Sequence, residues 1–346
     1  MPIAPVHALI FGAVAIQSVA IDTLYSVGNV TGPEETTFGR VVDMAFAPDG
    51  RLFVLDASDA YVRVFDPTGT PLQMFGGAGR GPGELHQPTA LEWVDSVVAI
   101  THGSSLSIFS ATGRFIDSER IPGTSVTRAI PLGPTVVLLF REGIATTSGI
   151  DPLQSLTLVE GSSRARIASG PSGGVFVRTS NGSLAIDAGL CGAVSVTYLG
   201  RGRFAVGDGA RGTVSLFDGN DPNTTWQVAP EAGAIPEERL SEVRALVRSS
   251  QLGREPSAEI TLPPNMSTIC AIEGETPDRT WLERSFAPER WQRIDLELGD
   301  LGPSVTLRNG ERLLAAAATR LATVSSDELG VQRIVVYGVR EHERFH

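Results

Sequence analysis

The chain has 346 residues, 42% of them hydrophobic and 19% charged, a balance that excludes a disordered or fibrous protein and allows one large domain or two ordinary ones. Its net charge is −11, and with no lysine in the sequence all 28 basic residues are arginine; this excludes Schiff-base chemistry and lysine-anchored phosphate loops and argues against nucleic acid as a partner. The 38 glycines and 22 prolines follow no Gly-X-Y period and fit a fold made of many hairpins.

Residues 1–20 carry the apolar run Ala8 to Ile16, followed by Ser18-Val19-Ala20, a small-residue sequence of the kind that signal peptidases cleave. An export signal is therefore expected, with the mature protein in the periplasm or outside the cell. The run is shorter than the ~20 apolar residues a membrane helix needs, so no membrane span is expected. Asp22 to Gly28 then alternates like a strand but has no neighbouring strand to pair with.

Residues 41 to 76 read as one complete four-stranded antiparallel unit. Val41, Asp43 and Ala45 alternate with Val42, Met44 and Phe46 at the two-residue period of a strand, and Pro48-Asp49-Gly50 supplies a glycine for a tight hairpin. Leu52 to Asp56 follows, then Tyr61 to Asp66, and Pro67-Thr68-Gly69 turns the chain into Leu72 to Phe75. Four short strands cannot bury both faces of their sheet alone, so the unit must recur in a ring.

The recurrence is present. Val64-Phe65-Asp66-Pro67-Thr68-Gly69 is echoed by Ile108-Phe109-Ser110-Ala111-Thr112-Gly113. Second strands begin near Leu52, Val97, Val136, Phe204, Trp281 and Leu321, each followed by a third near Val62, Leu106, Leu156, Val214, Trp291 and Arg333. The fold class is thus all-β, a six-bladed β-propeller spanning residues 21–340. Two intervals are long. Gly174 to Asp187 reads as an extra hairpin, and residues 231–264 hold a helical insert that opens Pro236-Glu237-Glu238, with Leu240, Val243, Leu246 and Val247 as an apolar stripe expected to pack on the propeller body. The sixth blade lacks a fourth strand before the charged tail 341–346. Pairing Asp22 to Gly28 onto that blade would close the ring and cover its edge.

Pro48-Asp49-Gly50, Asp56, Val64-Phe65-Asp66 and the glycine-rich exit Phe75-Gly76, Gly79, Gly81, Gly83 and Pro88 resemble the NHL-repeat propellers over blade one, and more loosely over blade two. The layout as a whole is similar to exported bacterial six-bladed β-propeller proteins. The Asn-His-Arg triplet of the NHL repeat is replaced here by Asp59-Ala60-Tyr61, so a specific NHL activity does not transfer. The three-histidine zinc site that the resemblance to NHL-type lyases would imply has only His86 and His102 to draw on within the propeller.

No catalytic constellation emerges from the motifs. Gly207-x-Gly209-x-x-Gly212 matches a dinucleotide fingerprint, but a strand follows it where a helix N-terminus is needed. Gly170-x-Ser172-x-Gly174 is likewise followed by a strand. Asp218 to Asn223 offers oxygen ligands but stands where blade one has a turn. The run Gly76 to Gly83 reads as an inter-blade crossover. Cys191 and Cys270 have no metal spacing and are expected to be separate buried thiols. Arg40, Arg128, Arg284 and Arg320 beside strand ends, with Trp281 and His86, are the candidate ligand-binding residues, because guanidinium forks and an indole face suit acidic or sugar-like ligands.

These readings converge on an exported, monomeric, non-catalytic propeller with no metal and no cofactor, binding a protein, peptide or glycan ligand on one face. The alternative is a lactonase-like hydrolase or lyase with a divalent metal at the channel mouth.

Overall fold

The computed structural model describes residues 18–29, 31–121, 125–146, 149–172, 174–179, 182–187, 191–219, 221–249, 259–262, 265–284 and 287–340. The expected export signal up to residue 17 and the tail 341–346 lie outside them. Ser18 and Val19 meet blade five, where the Val19 N–H donates to the Ser304 carbonyl at 2.8 Å.

Six four-stranded antiparallel sheets form the ring. Blade one comprises Val41–Phe46, Leu52–Asp56, Tyr61–Phe65 and Pro71–Gly76. Blade two comprises Pro88–Val94, Val97–His102, Ser105–Ser110 and Phe115–Arg120. Blade three comprises Val126–Leu132, Thr135–Thr146, Gly149–Glu160 and Ser163–Pro171. Blade four comprises Val194–Gly200, Arg203–Asp208, Thr213–Asp218 and Asp221–Gln227. Blade five comprises Ile269–Thr276, Arg279–Arg284, Ala287–Asp295 and Leu301–Thr306. Blade six comprises Arg312–Ala317, Arg320–Ser326, Gln332–Val339 and, as its outer strand, Ile21–Val27.

The ring closes as the unpaired N-terminal strand requires. Ile21 opposes Val339 and Val27 opposes Ile334, so the chain's first strand covers the edge its last strand would expose. Gly69 helps seat it: with φ +89, its missing Cβ leaves room for the Tyr25 ring, which a Cβ would meet at 2.5 Å.

The core lies between blades rather than at one centre. Leu52–Asp56 is buried at every position because the two-residue period sends alternate side chains to opposite neighbours. Leu52 and Val54 pack with Ala322 and Val336 of blade six, whereas Phe53 and Leu55 pack with Leu91 and Ile100 of blade two. Trp281 and Trp291, almost wholly buried, fill the wedge between blades five and six.

The first strand of every blade starts at the same end of the channel, here called the mouth face. Connections from one blade to the next also run there. Both insertions fall on those connections, between blades three and four and between blades four and five. The extra hairpin pairs Gly174 with Asp187, as expected, and gains a third strand, Glu259–Thr261. The helix, Glu237–Ser249, packs on this small sheet. Val243 and Val247 meet Val175 and Val177, with Leu240 at the edge of the cluster. Leu246 departs from the expected stripe and is 49% exposed.

Two features were not anticipated. The second and third strands of blade three are twelve residues each and stay paired from Thr135–Glu160 to Thr146–Gly149. They extend past the start of their first strand by roughly 20 Å of hairpin at ~3.3 Å per residue, again on the mouth face. Second, Cys191 and Cys270 are joined by a disulfide, correcting the expectation of separate thiols. The bridge fastens the approach to blade four onto the first strand of blade five.

Candidate functional site

Propeller ligands meet the loops and strand starts around a central channel, so the site is built from what the first strands bring there. Blades one, two and three contribute Asp43, Glu92 and Arg128. Arg128 Nη2 donates to Asp43 Oδ2 at 2.8 Å, and Arg128 Nη1 donates to Glu92 Oε1. Asp43 also accepts the backbone N–H groups of Leu91 at 2.9 Å and Met44 at 3.1 Å. One guanidinium therefore ties three blades together at the channel.

Burial raises the carboxyls of Asp43, Glu92 and Glu273, and Arg128 opposes the rise in each. Glu92 is pushed up to about 7, with the neighbouring Asp43 adding to the burial effect. Glu273, on the first strand of blade five, stands well above the carboxylate range. Glu283, at the end of the next strand, is raised by burial to about 7 against the pull of Arg312. Burial alone would lower Arg128, but Asp43 and Glu92 outweigh it and hold the cation charged.

Among the described residues, no three His, Cys, Asp or Glu side chains gather to hold a metal ion. Between Asp43 and Glu92 stands the Arg128 guanidinium.

At the mouth between blades six and one lies a cavity of about 440 Å³. Arg40 and Arg312, both exposed at the starts of their blades' first strands, face it. Their backbones are fixed: the Arg40 N–H donates to Asp56 Oδ1 at 2.8 Å, and Arg312 pairs with Val324 in the sheet. Among the described residues neither guanidinium has an ion-pair or hydrogen-bond partner. Ser325, Ser326 and Gln332 form one wall. Gln332 is fixed by accepting the Val41 N–H at 2.5 Å and donating to Ser326 Oγ at 3.3 Å.

The candidate residues from sequence divide between the two faces and the interior. Arg40, His86, Arg128 and Arg284 lie toward the mouth face. Arg284 Nη2 donates to the Val228 carbonyl at 3.0 Å, a tether between blades four and five, and burial beside Arg290 lowers its pKa. Arg320 lies on the opposite face, donating to the carbonyls of Gly50 at 3.4 Å and Pro67 at 3.2 Å. Trp281 is 0% exposed, beneath Arg293. Arg312, a partner of Arg40 in the cavity, was missed. Nothing in its own sequence context marks it, because the two are neighbours only once the ring has closed.

Two sequence signals resolve into local structure. The His102 ring occupies in blade two the place of Asp56 in blade one: it accepts the His86 N–H on Nδ1 at 3.1 Å, as Asp56 accepts those of Gly39 and Arg40. A neutral imidazole with Nδ1 as acceptor carries its proton on Nε2, so at 2.8 Å it donates to Ser107 Oγ, whose own proton goes to Ser118 at 3.1 Å. Such a histidine cannot take a proton from Ser107, and the pair is no hydrolytic dyad. The glycine-rich loop does cradle an anion, but it is the chain's own: Gly81 N–H donates to Glu84 Oε2 at 2.7 Å.

No protein-family model matches the chain, and no curated protein matches it in sequence. Solved structures do match. A candidate exported protein of Bacteroides fragilis is 11% identical, with 93% of this chain and 96% of that one covered at a TM-score of 0.55. The calcium-binding protein regucalcin of Agrobacterium tumefaciens is 12% identical, covering 94% and 96% at 0.46. The virginiamycin B lyase of Staphylococcus aureus is 9% identical, covering 93% and 100% at 0.44. The likeness is one of fold. Function must come from the site itself.

Proposed function

We propose that the protein is an exported, non-catalytic propeller, built of NHL-like blades and working as a monomer, that binds an anionic group of a protein, peptide or glycan ligand on its mouth face. The observation that carries this reading is the cavity between blades six and one, where the exposed guanidinium groups of Arg40 and Arg312 face the opening, Arg312 acting from there on the buried Glu283 and Asp43 as well. Other arginines near the mouth are committed: Arg128 to Asp43 and Glu92, and Arg63 to Asp56 and Asp59. Two exposed guanidinium forks lining one recess, on a molecule of net charge −11, form a local site for a carboxylate or similar anion. Export is supported by the apolar run Ala8 to Ile16 and by the Cys191–Cys270 disulfide, which persists in oxidising compartments.

The test is calorimetric titration of the purified protein with a panel of short acidic peptides, neutral and acidic oligosaccharides, and sulfate. Binding of at least one anion is expected, weakened at least tenfold in Arg40→Gln with Arg312→Gln. If no anion binds, or the double variant binds unchanged, the reading is wrong.

A second reading, a small-molecule hydrolase or lyase, draws on Glu273 and Glu283, carboxyls raised by burial, Glu283 to about 7, in the direction a general acid requires. Turnover of a lactone or ester panel that disappears in Glu273→Gln or Glu283→Gln would favour the enzyme. Turnover that is absent, or present and indifferent to both, favours the binder.

A further inference from the structure

We infer that the His102 ring is a pH-operated latch on the mouth face: neutral, it holds the exit of the glycine-rich loop against blade two, and protonated, it releases that exit. This stands apart from the anion-binding reading. The loop, residues 77–87, is largely closed on itself. The Leu85 N–H donates to the Gly77 carbonyl at 2.8 Å and the Gly79 N–H to the Leu85 carbonyl at 3.2 Å, while the Leu85 side chain is buried in the core between blades one and two. At the exit two bonds reach blade two. The His86 N–H donates to His102 Nδ1 at 3.1 Å, and the Gly103 N–H donates to the Gln87 carbonyl at 3.3 Å.

The segment held there is strained. Gln87 has φ +53, in the left-handed region that a residue other than glycine occupies at a cost and keeps only where its surroundings impose it. Gly103, at φ +54, lies so close to His86 that a Cβ would meet the His86 carbonyl oxygen at 3.2 Å and its ring at 3.4 Å.

In blade one the same place is filled by Asp56, which takes the N–H groups of Gly39 and Arg40 at 2.7 and 2.8 Å. A carboxylate remains an acceptor across the neutral and mildly acidic range. An imidazole does not, because one proton on Nδ1 turns the acceptor into a donor that faces another donor. Nε2 gives no relief, since it already carries the proton donated to Ser107 Oγ.

The surroundings favour the neutral ring. His102 is 7% exposed, and burial, followed by the neighbouring His86, lowers its pKa from the ordinary 6.5. In the loop, Arg80 Nη2 donates to His86 Nε2 at 3.3 Å, and Glu84 is turned to the Gly81 N–H. The outer strands of blade two bring Ser107 and Ser118 to the ring, with Arg120 opposite Ser105; Asp117 and Glu119, on either side of Ser118, are exposed. Arg128 of blade three is committed to Asp43 and Glu92, and Asp59 of blade one to Arg63. With its pKa lower folded than unfolded, His102 contributes stability that is present above 6.5 and is lost as pH falls through the lower, latched value.

The experiment is hydrogen exchange of the full chain at pH 7.5 and pH 5.0, each rate divided by the intrinsic rate at that pH. Protection of the His86 amide should fall at least fivefold on acidification, while that of the Arg40 amide, held by Asp56, stays constant. His102→Asp, which copies blade one, should keep the His86 amide protected at both pH values. His86→Ala retains the backbone N–H and removes the neighbouring charge, so the loss should persist with its midpoint moved to higher pH. Nitrogen-15 spectra of the parent's rings, which depend on no variant folding, should show His102 protonated on Nε2 alone at pH 7.5. A proton on Nδ1 at that pH overturns the inference. So does equal protection of the parent's His86 amide at both pH values, a loss as large in His102→Asp, or a loss abolished by His86→Ala.

Discussion

Replacing Arg128 by methionine tests how the channel is held together. Methionine keeps most of the aliphatic stem and removes the charge, leaving Asp43 and Glu92, whose side chains are 3% and 10% exposed. Asp43 retains two backbone donors, but Glu92 loses the guanidinium that is its hydrogen-bond partner. Breaking a buried ion pair from one side costs about 3–5 kcal/mol. That cost depends on pH, and its sign follows from Glu92.

A carboxyl whose pKa is higher folded than unfolded contributes stability that is fully present below the unfolded value of 4.5 and is lost as pH rises through the folded value, here about 7. Without Arg128 the folded value rises further, so the variant loses more stability than the parent on going from pH 5.5 to pH 8. Urea denaturation followed by tryptophan fluorescence should show a deficit of about 3–5 kcal/mol at pH 8 and a distinctly smaller one at pH 5.5. Adding Glu92→Gln to Arg128→Met should recover part of the loss at pH 8. A deficit below about 1 kcal/mol at pH 8, or one independent of pH, would refute the view that Arg128 is a buried structural cation.

Three further perturbations test the remaining architecture. Deleting residues 21–30 removes the outer strand of blade six and uncovers Gln332–Val339, so light scattering should reveal aggregation and the melting temperature should fall, whereas deleting residues 341–346 should change neither. Val243→Ala with Val247→Ala removes buried methyl groups from the small cluster under the helix, at roughly 2 kcal/mol each; limited proteolysis should accelerate within the insert, and Leu246→Ala should have no such effect. Cys191→Ser with Cys270→Ser opens a link between residues 79 apart, worth about 4–5 kcal/mol on the chain-entropy account, and thiol titration of the unreduced parent should find no free thiol.

What could be read in the sequence was whatever repeats at short range. Strand alternation, the turn at Pro48-Asp49-Gly50 and the unpartnered strand Asp22 to Gly28 specify blades and their closure, because each is a local pattern or an unpaired edge. The long hairpin of blade three escaped notice because Thr135–Thr146 and Gly149–Glu160 carry strand character throughout, and the period of a strand does not say where its partner ends. The disulfide escaped because the proximity of Cys191 and Cys270 is set by how blades four and five sit side by side. The helix stripe erred at Leu246, since the spacing that selects a face cannot say how wide its partner surface is. Here that partner is a three-stranded sheet, and Leu246 stays outside the cluster the helix makes with it. Arg40 was visible as a candidate and Arg312 was not, because a site between blades one and six exists only where the two ends of the chain meet.

The two faces of the ring are not equivalent, and this sharpens a last prediction. On the face away from the mouth the chain turns briefly, as at Asp95-Ser96, and Tyr198 OH donates to Asp95 Oδ1 at 2.7 Å, joining blades four and two. Among the described residues, the long hairpin of blade three, the small sheet and the helix all lie on the mouth face. These stand on the side of blades three to five, whereas over blades six and one, where Arg40 and Arg312 lie, the described chain carries the connection from Val27 to Val41 with its short turn Glu34–Thr36. Arg320, chemically the same as Arg40, instead supports the turns at Gly50 and Pro67 from the opposite face. Arg320→Gln should therefore lower stability by about 1–2 kcal/mol through the two carbonyls left without their donor, and leave anion binding untouched. Arg40→Gln should do the reverse. If Arg320→Gln weakens binding as much as Arg40→Gln does at equal stability, the mouth face is not the binding face. The asymmetry of the insertions would then reflect only the tolerance of surface loops for added chain.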